Sequence, residues 1–268
     1  MPEPKFLPKH RLCPGCPAGV IASSVLEVIP EPVVVVLATG CLEVGTTIYP
    51  NSAWQVPTIH SAFGNSAATA SGIARAKRIL LLKEKEHPEI RRLYPYLSED
   101  LKIVVFAGDG GTYDIGLQAL SGMAERGEDV LYICYNNQAY MNTGAQRSSA
   151  TPLGAITSTT PEVGKKEFSK RMTEIMMAHH IPYVAQTAYG FFEDLKQKVK
   201  EALQIKGPKY IEVLSPCIAG WHIEPKDTVK IAQLIVETGY WPLFTYKKGE
   251  FKLTYQPKFL PVEEWLRE

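Results

Sequence analysis

The sequence predicts an α/β fold built on a doubly wound, mostly parallel sheet. Short β-branched apolar runs alternate along the chain with segments of helical periodicity, and polar residues do not alternate with apolar ones inside the runs. Such unbroken runs are typical of central parallel strands that helices cover on both faces. A chain of 268 residues has room for one large α/β domain. In such sheets, ligands bind beyond the carboxyl ends of the strands.

Five apolar runs are the predicted strands of this sheet. They are VVVVLA (33–38), KIVVFAG (102–108), DVLYICYN (129–136), IPYVAQT (181–187) and KYIEVLS (209–215). Four predicted helices lie between them, at residues 66–85, 114–127, 169–180 and 190–207. The last helix has a clear end, because Gly207 is followed by Pro208. This order of strands and helices is that of an open α/β sheet.

The C-terminal residues have a different composition. We expect residues 1–220 to form the α/β domain and residues 221–268 to form an arm that packs on the domain or on a partner subunit. The arm contains Trp221, Trp241 and Trp265 with several prolines and tyrosines. This composition fits an extended segment better than a second domain.

Charge and hydropathy exclude several classes of function. The formal net charge of +1 gives no reason to expect nucleic acid or an anionic membrane as a partner. No apolar run reaches the roughly 18 residues of a membrane span, and the N-terminus has no apolar core of the signal-peptide kind. The odd number of five cysteines indicates reduced thiols or metal ligation rather than disulfides. We therefore expect a cytoplasmic protein.

Two polar clusters follow predicted strands, at GDGG (108–111) and NNQ (136–138). Gly108, Gly110 and Gly111 leave room for a bulky anion to approach the backbone, and amides that open the next helix can face it. Asp109 and Asn137 supply oxygens of the kind that bind Mg²⁺ on a diphosphate. Taken alone, GDGG is more often a turn that caps a helix and NNQ a polar loop, so the pair carries the prediction.

Four cysteines lie near predicted strand ends or in a CxxC motif. Cys13 and Cys16 form the CxxC, Cys41 follows the first strand and Cys217 follows the last. Strand ends at one edge of a parallel sheet are neighbours, so four thiolates can converge there. Four thiolates suit either a structural Zn²⁺ or a [4Fe–4S] cluster, and their spacing does not decide between the two. Cys134, inside an apolar run, is expected to be a core residue.

The GDG and NN pair resembles the fingerprint of thiamine-diphosphate enzymes, which implies a thiamine-diphosphate-binding fold of the diphosphate-binding type. Over nearly its whole length the chain resembles the β subunits of pyruvate:ferredoxin oxidoreductases, within the 2-oxoacid:ferredoxin oxidoreductases. The strings that carry this resemblance are HRLCPGC, ATGCLEVGTTIYP, WQVPTIHSAFGNSAATASG, FAGDGGTYDIGLQALSGMAERG, YICYNNQAYMNTGAQRSSATPLGA, LSPCIAGW and ETGYWPLF.

The resemblance implies roles for particular residues. The cluster ligands it implies are Cys13, Cys16, Cys41 and Cys217, and the Mg²⁺ ligands are Asp109, Asn137 and the backbone carbonyl of Ala139. The residues it implies for contacts with the cofactor are Thr39, Gly40, Leu42, His60, Gly108, Asp109, Gly110, Gly111, Asn137, Ala139, Tyr140, Met141, Asn142 and Thr143. Asn142 and His60 are the catalytic candidates. Beside a thiamine site, a [4Fe–4S] cluster is favoured over Zn²⁺ at the four cysteines, because the thiamine chemistry can release electrons and zinc cannot accept them.

The function that the resemblance implies is the CoA-dependent oxidative decarboxylation of pyruvate to acetyl-CoA and CO₂, and the reverse reaction. Electrons would pass through a [4Fe–4S] cluster to ferredoxin, in anaerobic metabolism. The chain would act only in a complex, in which an α subunit supplies the activating glutamate. A γ subunit and a ferredoxin-like δ subunit would complete that complex.

Several alternatives stay open at this stage. The same chemistry on 2-oxoisovalerate or oxalate is one, although the SSATP and VEEWL segments resemble the pyruvate branch. A non-redox thiamine-diphosphate enzyme with structural zinc is another, and a sulfur–metal scaffold without activity is the third. Two departures from the family pattern, Pro17 and Gly64, lie close enough to the site to affect the choice of substrate.

Overall fold

The computed structural model describes residues 3–266, with side chains described as far as residue 264. Residues 1–2 of the predicted domain and residues 267–268 of the predicted arm lie outside the described residues, as does the side chain of Trp265.

The described chain alternates helices with strands. The helices are α1 (Pro17–Glu27), α2 (Cys41–Thr46), α3 (Ser66–Lys83), α4 (Glu89–Leu93), α5 (Leu117–Glu125), α6 (Met172–Ala178), α7 (Phe192–Leu203), α8 (Ile218–Trp221), α9 (Thr228–Glu237) and α10 (Glu263–Leu266). The strands are β1 (Val33–Ala38), β2 (Thr58–Ser61), β3 (Lys102–Gly108), β4 (Leu131–Asn136), β5 (Ala139–Tyr140), β6 (Gln146–Arg147), β7 (Tyr183–Ala188), β8 (Lys209–Leu214), β9 (Phe244–Lys247) and β10 (Glu250–Leu253). A π-helical turn, Gly110–Asp114, joins β3 to α5, and a short 3₁₀ turn, Pro225–Asp227, precedes α9.

Within residues 3–266, the strands form one eight-stranded sheet and a two-stranded ribbon of β5 and β6. The sheet order is β10-β9-β7-β8-β4-β3-β1-β2, and the strands from β7 to β2 are parallel. The chain runs from β1 outward to β2 and then returns to β3 on the other side of β1. This change of direction is the topological switch at which such sheets bind ligands.

Helices cover both faces of the sheet, as the unbroken apolar strands predict. Helices α1 and α7 contact each other on one face, and α3 and α5 contact each other on the other face. Successive side chains of a strand point to opposite faces, so Ile133 and Tyr135 pack in one core while Tyr132 and Cys134 pack in the other. Cys134 is fully buried, which confirms that it is a core residue.

The predicted fold class is confirmed, and so is each predicted strand and helix, with differences only at their ends. The strand predicted over 129–136 begins at Leu131, and the helix predicted over 190–207 is Phe192–Leu203. Gly207 has a φ of +100°, a left-handed conformation that ends the connection before β8. The sequence did not predict α1, α2, β2 or the ribbon of β5 and β6, which are short or lie in segments without clear periodicity.

The C-terminal residues, which were expected to form an extended arm, add two strands to the main sheet and pack a helix against it. Helix α9 packs through Ile231, Ile235 and Val236, and β9 pairs antiparallel with β7. The buried Trp241 donates from Nε1 to the carbonyl oxygen of Thr187, 2.8 Å away. This segment therefore packs on the domain, while the boundary at residue 220 stays a prediction.

Across residues 3–266, none of the helices combines the length and the apolar character that crossing a bilayer requires.

Candidate active site

A cavity of about 260 Å³ lies at the carboxyl ends of β1, β3 and β4, on the switch-point edge of the sheet. Its lining residues are Thr39, Gly40, Cys41, Phe63, Gly108, Asp109, Gly110, Gly111, Tyr135, Asn137, Ala139, Tyr140, Met141, Asn142 and Thr143. The structure thus brings together nearly all the residues that the resemblance assigns to the cofactor. Leu42 and His60 are the two that do not line this cavity.

Three oxygen-bearing groups meet at the floor of the cavity, and we call them the oxygen cradle: the carboxylate of Asp109, the side-chain amide of Asn137 and the carbonyl of Ala139. One terminal atom of the Asn137 amide lies 3.0 Å from Asp109 Oδ1 and 2.8 Å from the Ala139 oxygen. If that atom is nitrogen, it donates to both oxygens. If it is oxygen, three acceptors face one another, which is the arrangement that a divalent cation requires.

The backbone between Asn137 and Ala139 makes an unusual turn. Gln138 has a φ of +66°, which side-chain-bearing residues rarely adopt. Its N–H donates to Asn136 Oδ1 at 2.9 Å, and its carbonyl accepts from Thr151 Oγ1 at 2.5 Å. This left-handed turn places the side chain of Asn137 and the carbonyl of Ala139 on the same side, so both face Asp109.

Asp109 is buried and held by two donors. Ser148 Oγ donates to Asp109 Oδ2 at 2.5 Å, and the backbone N–H of Asn137 donates to Oδ1 at 3.2 Å. Burial raises the pKa of the Asp109 carboxyl to about 7, and these hydrogen bonds oppose that rise. A cation at the cradle would favour the charged carboxylate for the same electrostatic reason.

The close approach of Tyr140 explains one glycine of GDGG. A Cβ at Gly110 would lie 2.4 Å from the Tyr140 ring, so a larger residue would displace that ring. Phe63 packs edge-on against the same ring, with centroids 6.0 Å apart. The two aromatic rings therefore form one wall of the cavity beside the glycine turn.

Three of the four predicted cluster cysteines lie at the N-termini of helices. Cys16 precedes α1, Cys41 opens α2 and Cys217 precedes α8. Backbone amides of Ala18 and Gly19 donate toward the Cys16 sulfur. Amides of Ala219 and Gly220 donate in the same way toward Cys217, and such donors favour the thiolate.

The four thiols interact electrostatically with one another. Burial, together with smaller contributions from the other cysteines, raises the pKa of Cys16 to about 11 and that of Cys41 to about 12. Burial also raises the pKa of Cys217, and Cys13 adds to this rise. Among residues 3–266, no group of three or more His, Cys, Asp or Glu side chains is close enough to hold a single metal ion.

Cys41 joins the cavity to the sulfur side of the site. It lines the cavity, and its Sγ lies 3.6 Å from Asn142 Oδ1. The buried Tyr135 lies between the oxygen cradle and the thiols. Its ring faces Gly108 on the cradle side. Burial raises its pKa, and Cys41 and Cys16 on the other side add to this rise. The oxygen cradle and the thiols therefore occupy one edge of the sheet.

Leu42 and His60 lie beside the cavity rather than in its lining. Leu42 is buried in the core through α2. His60 is half-exposed near the end of β2, and its Nδ1 lies 2.7 Å from Glu43 Oε1. Their assignment to the cofactor stays a prediction, and His60 contacts a carboxylate here instead.

The two departures from the family pattern have structural reasons. Pro17 is the first residue of α1, where its fixed φ suits a helix start. Gly64 has a φ of +94°, and a Cβ there would lie 3.0 Å from Ile115. A larger residue at 64 would therefore be strained in this backbone.

Sequence reasoning missed a buried polar network behind the cradle. Glu212 accepts hydrogen bonds from the hydroxyl of Tyr113, from Asn136 Nδ2 at 2.7 Å and from Tyr210 Oη at 3.3 Å. Burial raises the pKa of Glu212. The available signal was a glutamate inside the apolar strand KYIEVLS. Ser148 was also missed, since a serine in a loop carries no signal of its own.

Comparisons with known proteins agree with this geometry. Residues 38–213 match the family described as thiamine pyrophosphate enzyme, C-terminal TPP binding domain. The chain is 48% identical over 270 residues to pyruvate synthase subunit PorB of Methanocaldococcus jannaschii, covering 99% of this chain and 88% of that protein. It is 40% identical over 275 residues to ketoisovalerate oxidoreductase subunit VorB of Pyrococcus abyssi, covering 99% and 84%.

A solved structure shares the fold. The chain is similar to the structure of 2-oxoglutarate:ferredoxin oxidoreductase from Magnetococcus marinus, with a TM-score of 0.61 and 22% sequence identity. The match covers 82% of this chain and 66% of that one. At this identity the likeness concerns the fold alone.

Proposed function

The chain belongs to the thiamine pyrophosphate enzymes and, within them, to the family of PorB and VorB oxidoreductase subunits, and from this premise we propose that it is the β subunit of a 2-oxoacid:ferredoxin oxidoreductase. The observation that carries the proposal is the oxygen cradle beside Cys41 at the switch-point edge of the sheet. A cation site and an electron exit are the two parts that this chemistry needs side by side.

The cradle supports Mg²⁺ and the diphosphate of thiamine diphosphate. Asp109, Asn137 and the carbonyl of Ala139 would supply three hard oxygens to Mg²⁺, which would offset the charge of the diphosphate. The glycine turn of residues 108–111 lets the diphosphate approach the backbone. Thiamine diphosphate, when bound, supplies the carbanion that attacks a 2-oxoacid carbonyl and allows CO₂ to leave.

The four thiols support a [4Fe–4S] cluster as the electron acceptor. Cys13, Cys16, Cys41 and Cys217 interact electrostatically, and amides donate toward two of the sulfurs. Cysteine thiolates are the ligands of such clusters, and amide donors near the sulfurs tune their potentials. The cluster, when bound, accepts electrons one at a time, which zinc cannot do.

The chain's own residues would position the reactants rather than perform the bond chemistry. Asp109 and Asn137 would fix the cofactor's diphosphate, while Phe63 and Tyr140 exclude water from one side of the cavity. Asn142 lies at the boundary between cavity and thiols, where its Oδ1 accepts from the Cys41 thiol and its amide nitrogen can donate to a substrate oxygen. We therefore keep Asn142 as the catalytic candidate, whereas His60 is a weaker one because it contacts Glu43.

The overall reaction would consume a 2-oxoacid, CoA and two oxidised ferredoxins. It would yield the acyl-CoA, CO₂, two reduced ferredoxins and one proton. We expect an α subunit to supply the activating glutamate, and a γ subunit with a ferredoxin-like δ subunit to carry electrons onward. CoA as co-substrate and the cytoplasmic location belong to the same proposal.

Pyruvate is the substrate that the similarities favour. The PorB relative is 48% identical and the VorB relative 40% identical, each over nearly the whole chain. 2-Oxoisovalerate is therefore the second candidate. Since partner subunits also line such a site, the assembled complex has to decide between the two.

One assay tests the proposal. The anaerobically purified complex should be brown and should reduce a viologen dye only with CoA and a 2-oxoacid, fastest with pyruvate in a panel of 2-oxoacids. A colourless protein with zinc at its cysteines would point to a non-redox thiamine enzyme. A complex that binds no thiamine diphosphate in the presence of Mg²⁺ would overturn the proposal as a whole.

A further inference from the structure

A fully buried lysine lies behind the oxygen cradle, with no role in the site described so far. Lys165 is 2% exposed, and its Nζ donates to the carbonyl oxygens of Thr151 at 2.7 Å and Ser149 at 3.3 Å. An ammonium group is costly to bury unless hydrogen bonds compensate it. The carbonyls that compensate this one belong to the loop of residues 148–151, which contacts the cradle.

The loop of residues 148–151 holds the cradle at two points. Ser148 Oγ donates to Asp109 Oδ2 at 2.5 Å. Thr151 Oγ1 donates to the carbonyl of Gln138 at 2.5 Å, and it accepts from the N–H of Ser148 at 2.9 Å. Gln138 is the left-handed residue that orients both Asn137 and Ala139. All three ligands of the cradle therefore depend on where this loop lies.

Lys165 itself is held firmly in place. Its backbone N–H donates to the carbonyl of Ala155 at 3.0 Å, and its carbonyl accepts from Gly154 at 2.7 Å. Gly164 has a φ of +69°, and a Cβ there would lie 2.1 Å from the Gly154 oxygen. The backbone at residues 164–165 thus packs closely against residues 154–155. This packing fixes the Cα of Lys165, from which its side chain reaches the loop.

We propose that Lys165 is a positioning residue for the Mg²⁺–diphosphate site, acting through the loop of residues 148–151. Its ammonium fixes the carbonyls of Ser149 and Thr151, so that Ser148 stays on Asp109 and Thr151 stays on Gln138. Without it, the buried carbonyl of Thr151 loses the Nζ donor, while the carbonyl of Ser149 keeps the N–H of Lys170 at 2.9 Å, so the Thr151 end of the loop is held less firmly behind the cradle. This inference rests on the proposed function, because it presupposes a cation at the cradle.

The test is Mg²⁺-dependent binding of thiamine diphosphate by the purified complex, followed by calorimetric titration at a series of Mg²⁺ concentrations. Lys165→Met should raise the Mg²⁺ concentration for half-saturation about tenfold, the lower end of what loss of an outer-shell partner costs. At saturating Mg²⁺ and cofactor, kcat should stay within about twofold of wild type, since Lys165 touches neither substrate nor cofactor. The brown absorbance should be unchanged.

Two matched variants separate positioning from general stability. Lys198 is a buried lysine in α7 whose Nζ donates to the carbonyl of Gln186 at 2.9 Å, far from the cradle along the sheet. Lys198→Met also removes a buried ammonium, one that is in addition paired with the carboxylate of Asp194, so it should lower the Tm without changing the Mg²⁺ requirement. Lys166→Met, at the exposed neighbouring position, should change neither quantity.

The possible outcomes are distinct. If the Lys165→Met complex does not assemble, Lys165→Gln, which keeps an N–H donor at the position, decides instead. Its Mg²⁺ concentration for half-saturation should rise above that of wild type, by less than the roughly tenfold expected for Lys165→Met. Lys165 variants that bind Mg²⁺ and thiamine diphosphate like the wild type, or no worse than Lys198→Met, overturn this inference alone. A wild-type complex that binds no thiamine diphosphate overturns the proposed function first.

Discussion

The oxygen cradle is buried and already hydrogen-bonded, whereas the four thiols at the same edge of the sheet are partly exposed and come from separate parts of the chain. Asp109 is 1% exposed and has two donors, while Cys13 is exposed and Cys16, Cys41 and Cys217 are of intermediate exposure. The cradle is formed by the ends of adjacent strands and one turn. The thiols come from the N-terminal segment, from α2 and from the residue before α8.

The comparison indicates which of the two sites has its ligand groups positioned by the folded chain before an ion or a cluster binds. Backbone pairing of β3 with β4 brings Asp109 and Asn137 to neighbouring strand ends, and hydrogen bonds from the loop of residues 148–151 then hold the cradle. The CxxC segment pairs with no strand of the sheet, and the thiols repel one another when ionised. We therefore expect the cradle to be preorganised for its ion, and the thiols to depend on their cluster for a fixed arrangement.

The largest expected effect comes from removing the cradle's anion. Asp109→Ala should weaken Mg²⁺-dependent thiamine diphosphate binding more than about 100-fold, beyond the range for loss of an outer-shell partner. The brown absorbance should persist, because no cluster ligand is touched. Calorimetric titration and visible absorbance measure the two sites separately, and equal loss of both would mean that the variant is misfolded.

Removing one thiol tests the other side of the comparison. Cys217→Ser should abolish most of the brown absorbance and the electron transfer to viologen, because a cluster needs its fourth thiolate. Thiamine diphosphate binding should stay within about threefold of wild type, as expected for a site without a shared ligand. Cys134→Ala, at the fully buried core cysteine, is the matched control and should keep its colour.

A smaller effect is expected from the polar network behind the cradle. Glu212→Leu would leave the hydroxyl of Tyr113 without its acceptor and Asn136 Nδ2 with Tyr113 Oη, 3.0 Å away, in place of the carboxylate, at a cost of about 1–3 kcal/mol in the free energy of unfolding. Asn136 also accepts from Gln138, so the Mg²⁺ requirement should rise several-fold. Unchanged Mg²⁺ binding by a clearly destabilised variant would show that the cradle does not depend on this network.

The same residue predicts a pH dependence. Burial raises the pKa of Glu212 above its ordinary 4.5, so the folded protein holds this proton more tightly than the unfolded chain does. The stability that the group contributes therefore falls as pH rises above about 4.5. Glu212→Gln keeps an acceptor but does not titrate, so its Tm should gain on that of wild type over the pH range that begins at about 4.5 and extends upward. A constant Tm difference across this range would argue against the raised pKa.

The smallest effect is expected at His60. Because its ring faces Glu43 and does not line the cavity, His60→Gln should change thiamine diphosphate affinity less than about twofold, as for most surface substitutions. Steady-state titration with the cofactor measures this. A large fall in kcat with unchanged affinity would instead restore His60 as a contact to the substrate.

Much of the molecule was predictable from local patterns. The strands β1 and β3 and the helices α3, α5, α6 and α7 follow directly from apolar periodicity, because burial on one or both faces leaves a repeating signal in the sequence. The C-terminal strands β9 and β10 were not predicted, since β10 is exposed along its whole length and β9 is apolar only at its start. Their place in the sheet comes from pairing with β7, a contact between residues far apart in the chain.

By itself the sequence determined the fold class and the glycine turn at residues 108–111, and it predicted which groups would hold an ion or a cluster. Each of these depends on residue type and on spacing along the chain. Only the tertiary structure decided that Ser148, Thr151 and Lys165 support the cradle, that Glu212 lies behind it and that His60 faces Glu43. These are contacts between distant segments, and their energies depend on burial and hydrogen-bond geometry that arise only when the sheet has folded.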